Sequence, residues 1–148
     1  MISQNLQTLK RLTFKVLEET CFLLQSQEIS PGDQSEVLTV HLRCGERYDL
    51  YFGFDERLTR AMAQNFLGLD HPSEDESLVV SSVKEIGNMI GGNYMNAVGL
   101  PAESRLSIPE IVGGSWSSGE VGPHYSIESE VYYADGYPVK LTVVEHLQ

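Results

Sequence analysis

No apolar run in the 148-residue sequence approaches the roughly 20 residues needed to cross a membrane, so no membrane span is expected. The opening residues, MISQNLQTLKRLTF, lack an apolar core followed by a small-residue cleavage site, and no secretory signal is read there. Cysteine is scarce, with Cys21 and Cys44 the only two. In a chain without an export signal they read as reduced thiols, buried and chemically quiet. Positive charge is also short: 10 Lys and Arg stand against 21 Asp and Glu, a net charge of −11. Such a surface repels nucleic-acid backbones and anionic lipid, so neither is expected as a partner. It would still accept a protein presenting Lys or Arg at its docking face. His41, His71, His124 and His146 show neither the i,i+4 nor the Cys/His spacing of a metal site. A Gly-x-Ser-x-Gly elbow and a phosphate-cradling P-loop are both missing. These absences leave a cytoplasmic protein with no metal or cofactor of its own.

What is present suits one folded domain over residues 1–148. Hydrophobic residues make up 41%, enough to build a core at this length. From Gln4 to about Leu24, Leu6, Leu9, Val16, Leu17, Cys21 and Leu24 recur near helical spacing. Ser30-Pro31-Gly32-Asp33 breaks the pattern. Val37 to Leu42 and Tyr48 to Phe54 flank Cys44-Gly45-Glu46 and predict a β-hairpin. Asp55 is placed to cap a helix that runs through Leu67 and stops at Gly68. Ser73 followed by Glu76 resembles a capping box opening a third helix, about Glu76 to Val98. Leu106 to Val112 is strand-like but holds Pro109, which predicts an edge, a bulge or two short pieces. Gly113 to Gly119 reads as a turn region, with Trp116 packing against the domain or anchoring a contact. Tyr125 to Tyr133 and Tyr137 to His146 predict a second hairpin across Asp135-Gly136. The fold class is α+β: an antiparallel sheet with three helices packed mainly on one face.

The third helix carries the candidate chemistry. At about 100° per residue, Val79, Val83, Ile86, Ile90, Tyr94 and Ala97 fall on one broad face, the expected core side. Ser81, Glu85, Asn88 and Gly92 fall in a narrow stripe opposite. Glu85 and Asn88, three apart, are neighbours on the helix surface. Alone, such a pair reads as a solvated face. The glycines alter that reading, because Gly87, Gly91 and Gly92 each cost about 1 kcal/mol relative to Ala inside a helix. Gly87 and Gly91 share a side where a neighbouring element would approach closely. Gly92 lies one turn beyond Asn88, where a missing side chain would let another protein come near.

Ser81-Ser82-Val83-Lys84-Glu85-Ile86-Gly87-Asn88-Met89-Ile90-Gly91-Gly92 resembles the signature of the CheC/CheX/FliY chemotaxis phosphatases. That signature is an Asp or Ser, three residues, Glu, two residues, Asn, then small residues. Glu85 is the only glutamate here followed by Asn at the third position, and a single copy resembles the CheX branch. Ser107-Ile108-Pro109-Glu110 resembles the Ile-Pro strand of CheX-like chains. Asn93-Tyr94-Met95 departs from the smaller residues and the lysine expected of near CheX relatives. The resemblance implies a phosphatase acting on the phospho-aspartate of a CheY-type response regulator. Asn88 would position the attacking water and Glu85 would contact the receiver's lysine, with Mg²⁺ carried by the receiver. Ser81 and Gly92 would border the docked partner. A homodimer joined through its sheets is implied as well. The alternative is a non-catalytic module of this fold, binding a receiver or a flagellar switch component.

Overall fold

The structure, a computed structural model, describes residues 3–28, 36–113 and 124–147. The breaker at Ser30 to Asp33 and Trp116 with most of its turn region lie outside the described residues. The elements run α1 (Gln4–Cys21), β1 (Gln25–Ser26), β2 (Val37–Cys44), β3 (Tyr48–Asp55) and α2 (Glu56–Leu67). They continue with α3 (Glu76–Ala97), β4 (Glu110–Val112), β5 (Tyr125–Ala134) and β6 (Tyr137–His146). All strand pairs are antiparallel, in the order β1-β5-β6-β3-β2-β4. The α+β expectation of three helices on an antiparallel sheet is met.

Strand alternation decides which face carries the helices. Val40, Leu42 and Cys44 on β2, Leu50, Phe52 and Phe54 on β3, and Val139, Leu141 and Val143 on β6 point one way. They form one core with Leu9, Leu17, Leu58, Met62, Val83, Ile86, Ile90 and Tyr94 from the three helices. Cys21 and Cys44 are free and buried in that core, and burial pushes the Cys44 thiol up to about 12. Neither is reactive in that setting. Asp135 (φ 50°) and Gly136 (φ 85°) make the two-residue turn that joins β5 to β6.

The helix ends correct three readings. α1 stops at Cys21 rather than near Leu24, because Phe22 turns left-handed (φ 56°) and its N–H donates to the Glu18 carbonyl. The Asn65 amide donates to the Cys21 carbonyl at 2.6 Å, satisfying one of the last acceptors of α1. α3 is capped by Asp75, not Ser73: the Asp75 carboxylate accepts from the Ser77 and Leu78 N–H groups. Ser73 sits one step back, its hydroxyl accepting from the Asp75 N–H at 3.1 Å. Ala97, assigned to the core face, is exposed at the end of α3. Asp55 and Gly68 bracket α2 as expected, Asp55 also accepting from the Arg57 guanidinium.

The seam between α3 and β2 is unusually tight. A Cβ on Gly87 would lie 3.3 Å from Val40 Cγ1, and one on Gly91 would lie 3.0 Å from Leu42 Cδ1 and 3.1 Å from Leu106 Cδ1. A Cβ on Gly92 would meet nothing within 4 Å. On the helix-free face, Asp49 lies between two histidines, accepting from His41 Nε2 at 2.6 Å and from His146 Nε2. His41 also stacks on Tyr51 at 4.6 Å between ring centroids.

Gly91→Val is expected to lower stability by about 1–3 kcal/mol through overpacking, whereas Gly92→Ala should raise it by about 0.5–1 kcal/mol; urea unfolding checks both. Burial alone would raise the Asp49 carboxyl, but hydrogen bonds from His41 and His146 outweigh it and hold the group below its ordinary value. Its contribution is therefore complete above the ordinary carboxylate pKa of about 3.9 and is lost as the folded-state group protonates at lower pH. Asp49→Asn should be less stable than the parent at pH 7 by about 1–3 kcal/mol, the gap narrowing as unfolding is measured at successively lower pH below about 3.9.

Candidate functional site

α3 holds its position through one buried stripe and presents another to solvent. Val79, Val83, Ile86, Ile90 and Tyr94 are buried, as the wheel predicts. On the opposite side Ser81 and Glu85 are exposed, while Asn88 and Gly92 are half-buried. The structure thus brings all four stripe residues onto one face of one helix. No hydrogen bond or ion pair engages the Glu85 or Asn88 side chain among the described residues. A carboxylate and an amide stand side by side, neither bonded to another described residue.

Ser81 differs from this pair. Its hydroxyl donates to the Leu78 carbonyl of its own helix at 3.2 Å, which occupies the proton a partner would use. Gly92 leaves open space one turn past Asn88, so the surface falls away there rather than closing over the amide.

Rigidity comes from below. Glycines at 87 and 91 let the helix axis sink toward β2, and each is buried. Asn88 directly follows Gly87, so its height above the sheet is set by backbone packing rather than by a flexible loop. The 22-residue helix is anchored at its start by Asp75 and by Arg60, which bonds the Ser73 carbonyl and pairs with Glu56 and Glu76.

The chemistry available here is narrow. An amide offers one acceptor oxygen and two donor hydrogens and does not titrate, so it can orient a water at any working pH. A carboxylate beside it can take a cation from a partner. No group of three or more His, Cys, Asp or Glu is placed to hold a metal among the described residues. A groove of about 900 Å³ lies beyond the C-terminal end of α3, lined by residues that include Arg47, Leu100, Ser104 and Arg105, and includes none of the four stripe residues. The pair is therefore suited to entering another molecule's pocket rather than enclosing a substrate.

Sequence reading did not foresee the Asp49 cluster or the exposed isoleucine of the sheet edge, Ile108, which is 82% accessible. The signal for Ile108 was present in the Ile-Pro dipeptide of an edge strand.

Among the described residues, no helix is long and apolar enough to cross a membrane. Comparison with known structures shows that the fold is shared. A chemotaxis protein CheX from Vibrio vulnificus superposes with a TM-score of 0.71 at 19% identity, over 97% of each chain. A CheX from Desulfovibrio desulfuricans gives 0.70 at 15% identity, over 97% of this chain and 100% of that one. A CheX–CheY–BeF3–Mg complex from Borrelia burgdorferi gives 0.64 at 15% identity, over 95% and 96%. No curated protein sequence matches. Residues 39–120, more than half the chain and including all of α3 and β4, match the sequence profile described as chemotaxis phosphatase CheX. With its fold and its sequence profile in agreement, the chain belongs to the CheX family of chemotaxis phosphatases.

Proposed function

We propose that this chain is a phosphatase for the phospho-aspartate of a CheY-type receiver, with Asn88 positioning the attacking water and Glu85 contacting the receiver's active-site lysine. The observation that carries the reading is the pairing of two unengaged polar side chains on the solvent side of a rigid helix. The Borrelia burgdorferi CheX, of the same fold, is found in complex with CheY, BeF3 and Mg²⁺, which supports a receiver as the partner.

The chemistry is coherent with so small a site. An acyl phosphate is already activated toward hydrolysis, and the receiver's own Mg²⁺ and lysine would stabilise the charge on the transferring group. What remains is to place water in line with the phosphorus and opposite the aspartyl oxygen. The Asn88 amide oxygen would accept one water hydrogen, turning a lone pair toward phosphorus. The P–O bond to the aspartyl oxygen then breaks, giving inorganic phosphate and a free carboxylate. Glu85, one turn earlier, would pair with the receiver lysine and fix the register in which the amide enters. Ser81 and Gly92 would border the docked surface, Gly92 leaving room for it.

The setting would be the cytoplasm, where receivers are phosphorylated. A homodimer would pair through the helix-free face of the sheet, on which Val37 and Val131 are 55% and 44% exposed.

Three measurements test this reading. Wild-type chain should accelerate loss of phosphate from a phosphorylated CheY-type receiver. Asn88→Ala should reduce that acceleration by about 100-fold or more while changing stability by less than about 0.5 kcal/mol. Binding without acceleration by the wild type would instead make the chain an interaction module. Sedimentation equilibrium should return twice the monomer mass, with Val131→Lys shifting the population toward monomer; a wild-type monomer would remove the dimer from the account.

A further inference from the structure

The segment between α3 and the sheet edge holds one apolar side chain, Ile108, out in solvent. Leu106 forms a bridge with Cys44, and β4 pairs Glu110 with His41. Between those pairs β2 has two residues, Leu42 and Arg43, whereas the edge segment has three, Ser107, Ile108 and Pro109. One residue is therefore extra, and the edge bulges there. The bulge is not slack. The Ser107 N–H donates to the Arg43 carbonyl at 2.9 Å, and the Arg43 N–H donates to Ser107 Oγ at 2.8 Å. Pro109 fixes its own φ and offers no N–H, so this edge is poorly suited to adding a strand. What it offers is the Ile108 side chain, 82% exposed.

Its neighbours locate it against the site. Leu106 packs where Gly91 lacks a Cβ, and Ile111 lies opposite Val40, which packs where Gly87 lacks one. Ile108 lies between them in sequence, in a segment whose two ends reach α3 at Gly91 and, through Val40, at Gly87. We infer that Ile108, with the 37% exposed Ile111, is a second contact for the receiver, an apolar wing flanking the catalytic stripe. The inference rests on the receiver reading above. A specific protein interface covers about 800 Å² per partner, far beyond four residues on one helix, so a docked receiver must extend past α3. On the β2 side the apolar residue on offer is Ile108, in a segment pinned through Ser107. On so acidic a chain, an apolar contact gives attraction that does not depend on charge. The receiver face that meets it would be apolar, adjoining the rim of the phosphorylation pocket.

The test uses the full chain and the CheY-type receivers of its host, each loaded with Mg²⁺ and beryllofluoride for binding and phosphorylated for turnover. Ile108→Asp should raise the receiver concentration for half-saturation about tenfold and leave the rate at saturation within about twofold. Ile108→Leu should behave as wild type, and so should Phe22→Ser, another strongly exposed apolar position, at the end of α1. Asn88→Ala should show the opposite pattern, with rate lost and binding kept. A working wild type with unchanged half-saturation in Ile108→Asp overturns this inference alone. A wild type that neither binds nor dephosphorylates any of the receivers overturns the receiver reading, and the apolar wing with it. Circular dichroism should show Ile108→Asp folded, since its side chain contributes little to the core.

Discussion

Two missing side chains fix the position of the site. At Gly87 and Gly91 the α3 backbone comes close enough to Val40, Leu42 and Leu106 that a methyl group would already be crowded. Each glycine gives up helix propensity, about 1 kcal/mol against alanine, and gains a close, wide contact between a helix and a sheet. The dispersion energy of such a contact is summed over many atoms, and it is what keeps the helix from rolling or sliding. Ile86 and Ile90 complete the buried stripe, so rotation in either direction would expose one of them. Glu85 and Asn88 inherit their direction from this constraint.

That arrangement separates stability from chemistry more cleanly than an enclosed active site does. The core is a continuous apolar layer between three helices and one sheet face, and none of the four stripe residues belongs to it. In a buried site, polar groups must be desolvated and their partners supplied by the fold. Here Glu85 is open to water and Asn88 partly so, and in the proposed reading their desolvation would fall on the encounter. In the proposed reaction the strong electrostatics would belong to the receiver, and geometry would be this chain's contribution.

Much of this was legible before any coordinates. Alternation of Leu, Val, Tyr and Phe marked both hairpins, and Asp135-Gly136 fixed the turn of the second. The wheel of α3 separated the buried from the exposed stripe because helical spacing is a local property. What escaped was either very short or non-local. β1 is two residues long and carries no pattern of its own; pairing with β5 is what makes it a strand. The cap of α3 was misplaced because Ser73 and Asp75 are both good caps, and only the backbone path chooses between them. Asp49 meets His41 across one strand pair and His146 from the far end of the chain, an encounter set by register rather than by spacing. The bulge at Ile108 was half visible: Pro109 announced an irregular edge, but its offset depends on two separate pairings with β2.

The strand order holds a consequence for how the chain is made. β6 follows every other described strand in sequence, yet it lies inside the sheet, between β5 and β3. A nascent chain emerging from the ribosome can form the β2–β3 hairpin and lay α2 and α3 across it. Until β6 is synthesised, β3 has an unpaired flank, and Phe52 and Phe54 lack Val139 and Leu141 beside them. α1, made first, packs partly against β6 and β5 and must wait for both. The half-made domain is therefore sticky as well as incomplete, its apolar sheet face open until the last described strand is in place.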